Sequence, residues 1–332
     1  MIRVIFKNVG QGDSIIIEWE HESKVKIGII DCNLYNNKNP VVEYLIARSI
    51  TEIEFVVLTH YHLDHFSGFS EVFDYCKNNN IRIKSFHHTI SSQAIHIYDK
   101  IFTSKKLETA NSKFFDSLDS LGKLLADEIP TTRHTKGINL SKDIYLSFLA
   151  PDGKVDRKIA RQISRKVNKK IFTDADINKL SIVLLIKYFE NGILFTSDAP
   201  KESFRILKGR ISTEISIAQI PHHGSIENYY DRFWSKLSRI NKCPVVFSVG
   251  DEPKDKLPNR ETVEFIDKLD YDIHSTNIVY GILEYFFGTN QDKNYCNRGT
   301  SNYLSHFSRM TKPHSQISTL NSSLSGDQIF IL

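Results

Sequence analysis

Residues 59–65 read "THYHLDH" and directly follow the apolar run "FVVL" at 55–58. Three histidines and an aspartate crowd between His60 and His65 at the end of a short buried strand. An extended chain places alternate side chains on one face, so His60, His62 and Asp64 converge. His65 joins them if the chain turns into a helix there. Imidazole nitrogens and carboxylate oxygens suit zinc, manganese or iron, and ligands at this spacing can start two adjacent metal sites.

Two other strand ends carry what this cluster lacks. "ILFTSD" ends on Asp198, and "SIAQIPHHGS" brings His222 and His223. An Asp at a strand end is more often a helix cap, and a lone His pair says little. Three ligand-bearing strand ends in succession are a much stronger signal than any one of them.

The rest of the chain frames these ends. Its 332 residues, 40% hydrophobic and 25% charged, suffice for one large α/β domain with an extension. A net charge of +4 is too small to argue for a nucleic-acid partner by itself. Cys32, Cys76, Cys243 and Cys296 show no CxxC spacing, which speaks against a thiolate zinc site or a disulfide framework. "MIRVIFKNVGQGDSIII" alternates like a strand and lacks a signal-peptide layout, and no apolar run is long enough for a membrane span. A cytoplasmic location and no membrane partner are expected.

Strands are expected at "IRVIFKNV", "SIIIEWE", "VKIGIIDC", "IEFVVLTH", "IRIKSFHHT", "IYLSFLAP", "LSIVLLIKYF", "NGILFTSD", "SIAQIPHH", "PVVFSVG" and "IVYGILEYFFG". Helices are expected at "PVVEYLIARSI", "FSGFSEVFDYCKNN" and "NRETVEFIDKL", in a helical insertion over 91–135, and over the basic segment 154–170. Residues 290–332 read as a polar, partly disordered extension of a 1–289 domain.

Taken in order, "VGQGDSIII", "IIDC", "VVLTHYHLDHFSGF", "NKLSIVLLIKYFENGILFTSD", "IPHHGS" and "VVFSVGDE" resemble a metallo-β-lactamase-fold hydrolase. Within that superfamily the chain is similar to the hydrolase domain of ComEC-type DNA-uptake proteins and their stand-alone relatives. The resemblance runs from about residue 2 to 286. It implies an α/β fold, a four-layer αβ/βα sandwich, with a site for two divalent metal ions, Zn or Mn, at one edge of the sheets. By the resemblance His60 and His62 match ligands of the first metal, Asp64 and His65 those of the second, and Asp198 the bridging carboxylate. One of His222 and His223 closes the second site, with His222 favoured as nearer the strand end.

Two departures stand out. The middle histidine that many superfamily members carry has no motif here, and His87, His88 and His134 are its candidates. The His-Pro dipeptide usual after the "SVG" strand is replaced by Leu257-Pro258, which leaves Asn259 and Arg260 as candidate phosphate donors, or as an ordinary helix start.

Such a site lowers the pKa of a water for in-line attack on phosphorus or carbonyl carbon. Asp64, with His62, is the catalytic candidate, and Asp64 is the group best placed to orient that water. Asp31 and Ser225 are candidates to steady the ligands. Gly10 and Gly12 would let the first turn approach the site. Between 154 and 170 lie eight Lys/Arg against one Asp, and Arg157, Arg161 and Arg165 fall at helical spacing. Such a stripe suits a phosphate backbone, although charge runs are as often plain solvated faces. Tyr229, Tyr230, Phe233 and Trp234 read as helix core before base-stacking groups. The expected activity is therefore a metal-dependent phosphodiesterase, first of all a DNase, with a role in anti-phage defence suggested by the stand-alone relatives. Hydrolysis of a small phosphodiester or thioester is the alternative, as is a subunit that binds a protein partner through 91–135 or 290–332.

Overall fold

The computed structural model describes residues 1–89, 105–154, 174–207, 209–251, 256–287, 318–319 and 326–332. Arg157, Arg161 and Arg165, the first part of the helical insertion and most of the polar tail lie outside the described residues. Among the described residues no helix is long and apolar enough to cross a membrane.

The first sheet begins with β1 (Ile2–Phe6), β2 (Ser14–His21) and β3 (Lys24–Cys32), an antiparallel meander. β4 (Glu52–Ile53) and β5 (Phe55–Val57) are two pieces of one line broken at Glu54, since both run parallel to β6 (Arg82–His88) in a continuous register. β7 (Leu125–Pro130) lies on the far side of β6. The second sheet contains β8 (Ile138–Ser141), β9 (Ile144–Ala150), β10 (Val183–Tyr188), β11 (Asn191–Phe195), β12 (Glu214–Gln219), β13 (Pro244–Phe247) and β14 (Asp272–Ser275) side by side in chain order. β15 (Ser318–Thr319) and β16 (Gln328–Ile331) then return to the first sheet, where β16 pairs antiparallel with β1.

The two-residue alternation of the strands sorts their side chains into separate cores. Val4, Phe6, Ile17, Ile30, Phe55 and Val57 face Leu146, Leu184, Ile186, Ile193, Phe195 and Val246 between the sheets. Ile27, Ile29 and Val56 point outward instead, onto α1 (Pro40–Ala47), α3 (Phe69–Asn78) and α4 (Lys105–Leu121), whose Phe69, Phe73 and Phe114 pack there. α2 (Leu63–Phe66) joins this layer through Phe66. On the other side Val183, Leu185, Val245 and Phe247 meet α6 (Lys201–Leu207), α7 (Asp231–Trp234), α8 (Arg260–Lys268) and α9 (Tyr280–Phe287). Three cores between four layers make the αβ/βα metallo-β-lactamase sandwich. The short α5 (Asp174–Asn178) leads into β10.

Three sequence expectations change. "IVYGILEYFFG" is not a strand: Tyr280–Phe287 form α9, with Ile282 and the preceding Val279 buried in the core. Short apolar runs suit either structure, and here Gly281 decides, because a Cβ there would stand 2.3 Å from the Pro258 carbonyl of the adjoining α8 start. The helical pattern expected to 135 stops at Leu121, where Gly122 takes φ 50°, and the chain continues as β7. The polar tail ends in a strand of the first sheet, β16, with Phe330 fully buried between the sheets and Asp327 holding Lys7 and the Asn8 backbone.

β3 and β5 are parallel, as are β11, β12 and β13, and β1 shares the direction of β3. Their C-terminal ends therefore collect at one edge of the sandwich, and every ligand-bearing segment named from the sequence leaves from that edge.

Candidate metal centre

β5 delivers Thr59 and His60, and the chain then turns. His62 is extended and precedes α2, so Asp64 and His65 sit on its first turn. The turn is pressed against the β1–β2 loop. The Asp13 N–H donates to the Asp64 carbonyl at 3.1 Å, and a Cβ on Gly12 (φ 133°) would lie 2.4 Å from that same oxygen. Only glycine permits this approach. β11 ends in Thr196 and Ser197, which place Asp198. β12 ends in Gln219, after which His222 (φ 49°) and His223 (φ 54°) are both left-handed. Each such non-glycine residue costs about 1–3 kcal/mol, a strain found where side-chain direction matters. Here it throws two neighbouring rings onto different sides of one carboxylate.

Asp198 is the centre. Its Oδ2 stands 3.5 Å from His60 Nε2, 3.4 Å from His65 Nε2 and 3.6 Å from His222 Nε2, and its Oδ1 is 3.6 Å from His223 Nε2. His62 Nδ1 is 3.0 Å from His60 Nε2. Asp64 Oδ2 is 3.5 Å from His223 Nε2 and 3.9 Å from His65 Nε2. Ligand atoms about 2.05 Å from a tetrahedral zinc are about 3.3 Å from one another, close to these spacings.

The outer hydrogen bonds decide which ring nitrogen is bare. His65 Nδ1 donates to Asp31 at 2.7 Å, and His223 Nδ1 to the Ser248 carbonyl at 2.6 Å. Asn228 Nδ2 donates to the Asp198 and Ala199 carbonyls, so its Oδ1, 2.8 Å away, accepts from His222 Nδ1. Thr59 Oγ1 gives its proton to Asp31, and Ser197 lies 2.6 Å from that oxygen, which leaves His60 Nδ1 to donate to this hydroxyl pair at 3.2 and 3.3 Å. Each Nε2 is thus the nitrogen turned toward Asp198, bare whenever its ring is neutral. Nε2 of His65, Nε2 of His223 and Oδ1 of Asp198 are buried and have no hydrogen-bond partner among the described residues. An unsatisfied buried polar atom costs about 1–3 kcal/mol. Three such atoms converging can be satisfied together by one cation, and the N/O donor set fits zinc or manganese.

The electrostatics agree. Burial opposes charge on His65, but Asp198, Asp31 and Asp64 outweigh it and hold its pKa well above the usual value. Burial likewise works against His223, yet Asp198 and the bond to Asp64 raise it to about 9. His60, buried beside His65 and His62, is pushed well below its ordinary value. Despite burial, the neighbouring histidines hold Asp198 well below, and Asp64 below, the usual carboxylate range. Protons on His65 and His223 thus occupy the positions a cation would take. Metal binding at pH 7 is expected to release about two protons. Below about pH 9 apparent affinity should fall as pH falls, by up to about tenfold per unit for each displaced proton. Calorimetry in buffers of different ionisation enthalpy reads this directly; a binding heat independent of buffer would contradict it.

The site differs from the sequence expectation at several points. His223, not the favoured His222, stands with Asp64 and His65, because the left-handed backbone turns the nearer residue away. None of the middle-histidine candidates joins. His87 spends both ring nitrogens on Thr131 and Ser85, His88 pairs with Glu128, and His134 is exposed. Asp31, at φ 57°, accepts from His65 Nδ1 at 2.7 Å. Ser225 meets the site through its backbone, donating its N–H to the His222 carbonyl. Asn259 is committed to the fold, its Oδ1 accepting from the Ile226 N–H, while Arg260 is exposed at the start of α8. Tyr229, Phe233 and Trp234 are core.

Sequence reasoning missed Asp13 and Gln219. Gln219 Oε1 accepts from the Thr196 and Ser197 N–H groups, and its Nε2 donates to Asp13 Oδ2 at 2.8 Å. This amide ties the Asp198 turn to the first sheet, and Asp13 reaches His65 Nδ1 at 3.7 Å. The acid closing "GQGD" was the one available signal. Gln219 and Asn228 carried none.

Residues 8–104 match the model of the metallo-beta-lactamase superfamily, whose members are generally metal-dependent hydrolases. No curated protein matches the chain significantly. Among solved structures, the chain is similar to a diphosphatase of the PhnP family (13% identity over 79% of this chain and 91% of that one, TM-score 0.39). It is also similar to the metallo-beta-lactamase fold protein YhfI from Bacillus subtilis (10%, 83% and 95%, TM-score 0.43). A third is Zn(2+)-bound PqqB from Methylobacterium extorquens (7%, 82% and 97%, TM-score 0.46).

Proposed function

We propose that this protein is a metal-dependent phosphodiesterase acting on nucleic acid, DNA first. The observation that carries the reading is the ring of Nε2 lone pairs around Asp198, divisible into two ligand sets. Asp64, His65 and His223 cluster as one set; to the other we assign His60, with His62 at 3.0 Å from it and His222 at 3.6 Å from Asp198. Asp198 is shared between them. Two divalent ions held by these residues would lower the pKa of a water and offset the charge on a developing oxyanion.

The chain's own residues set the rest. Asp31, Ser248, Asn228 and Thr59 with Ser197 keep the four Nδ1 protons facing away from the reaction. Asp64 is the partly exposed acid at the mouth, 35% accessible while Asp198 is 2%, so it can hold and direct an attacking water. His222, at 29%, lines the same opening. The sequence supports a nucleic-acid substrate as well: the run 154–170 carries eight Lys/Arg against one Asp, a composition that suits a phosphate backbone.

The test is cleavage of labelled single- and double-stranded DNA and of bis(p-nitrophenyl) phosphate with Mn²⁺ or Zn²⁺, for wild type and Asp64→Ala. Metal-dependent cutting of DNA is expected, reduced at least about hundredfold in the variant. Turnover of the chromogenic ester with intact DNA would move the assignment to a small phosphodiester. No turnover by folded, metal-loaded wild type would favour a binding subunit.

A further inference from the structure

Asn178 is a buried amide that the fold does not use. It ends α5, and a tight turn (Leu180 N–H to Ile177 carbonyl, Ser181 N–H to Asn178 carbonyl) brings the Ile182 N–H onto the Thr59 carbonyl at 2.9 Å. The side chain is thereby set beside the His60 strand end. It is 6% exposed. Among the described residues its Oδ1 has no partner, and its Nδ2 lies 3.5 Å from His222 Nε2, at the limit of a hydrogen bond. His222 does not need this second tether, because Asn228 already orients it at 2.8 Å. Once the His222 lone pair is engaged by a cation, the Asn178 amide loses even that contact. It is left as a donor beside His222, the residue that is 29% accessible at the site.

We propose that Asn178 contacts the substrate, its amide N–H donating to a non-bridging oxygen of the phosphoryl group held at the Asp198 centre. This rests on the phosphodiester reading. A neutral donor suits that position because it stabilises oxyanion charge without competing for metal. A lysine there would repel the cations, and a carboxylate would repel the substrate.

The experiment uses zinc-loaded full chain and inorganic phosphate, with affinity followed by calorimetry and metal content by atomic absorption. Asn178→Ala should keep its metal and bind phosphate about 10- to 100-fold more weakly. Asn178→Asp, which preserves shape, should also keep its metal and bind phosphate more weakly still, because a like charge replaces the donor. Unchanged phosphate affinity in both variants would overturn the assignment, as would metal loss in proportion to phosphate loss, which would make Asn178 a support for His222. Failure of zinc-loaded wild type to bind phosphate would instead overturn the phosphodiester reading, and this assignment with it.

Discussion

Asp198→Ala should leave a folded protein that no longer loads two divalent ions and has lost turnover by about 1000-fold or more, equivalent to about 4 kcal/mol of transition-state stabilisation. Asp198 faces four imidazole Nε2 atoms at 3.4 to 3.6 Å, so its removal takes a donor from both ligand sets at once. The backbone around it should survive. Asn228 binds the Asp198 carbonyl rather than its side chain, and Gln219 holds the preceding N–H groups. The histidines should respond. Asp198 is the first of the charges that hold His65 and His223 protonated, so both pKa values should drop when it goes. Equilibrium dialysis with metal analysis tests the first claim, and imidazole titration by NMR of the apoprotein the second. Two bound ions with undiminished turnover would sink the site. In the metal-free wild type, Asp198 has a depressed pKa, so its contribution to stability is present above the ordinary carboxylate pKa. That contribution disappears as pH falls through the folded value.

The second large effect concerns Asp31. This buried carboxylate accepts from the Thr59 N–H at 2.8 Å, the Thr59 hydroxyl at 2.6 Å and His65 Nδ1 at 2.7 Å. Burial pushes its pKa up to about 6, against the pull of His65. Asp31→Ala strands three buried donors, at about 1 kcal/mol or more each, so stability should fall by about 3 kcal/mol or more. His65 also loses the bond that keeps its Nε2 bare, and metal affinity should weaken about 10- to 100-fold. Thermal denaturation with and without zinc separates the two losses. A variant with wild-type stability and wild-type metal affinity would show that the Asp31–His65 contact is idle. Asp31→Asn should fall between, since its amide keeps the shape but offers a single acceptor oxygen to three donors.

Much of this architecture is legible in the chain itself. Val4 and Phe6, Phe55 and Val57, Leu184 and Ile186 alternate with partners that face the other way, and such alternation reports a strand with both faces buried. The failures have local causes. "IVYGILEYFFG" carries too few residues to separate a strand period from a helix period, and the packing of Gly281 on the α8 start settles it. β16 is four residues at the end of a polar stretch, and its pairing with β1 spans nearly the whole chain. No window of sequence contains that contact.

The metal centre divides the same way. His60, His62, Asp64 and His65 are close in sequence, so local backbone geometry alone brings them together, and their residue types declare the chemistry. The sequence by itself also placed Asp198, His222 and His223 at strand ends. What it left open was direction. Whether His222 or His223 turns toward Asp64 depends on two left-handed residues, and these are held by contacts with Asn228 and Ser248 on other segments. Asp13, Gln219 and Asn228 enter the site through bonds between residues that the sheets bring together from distant parts of the chain. Periodicity encodes conformation over a few residues, whereas the aim of a buried side chain is set by whatever packs against it, and only the tertiary structure decides that.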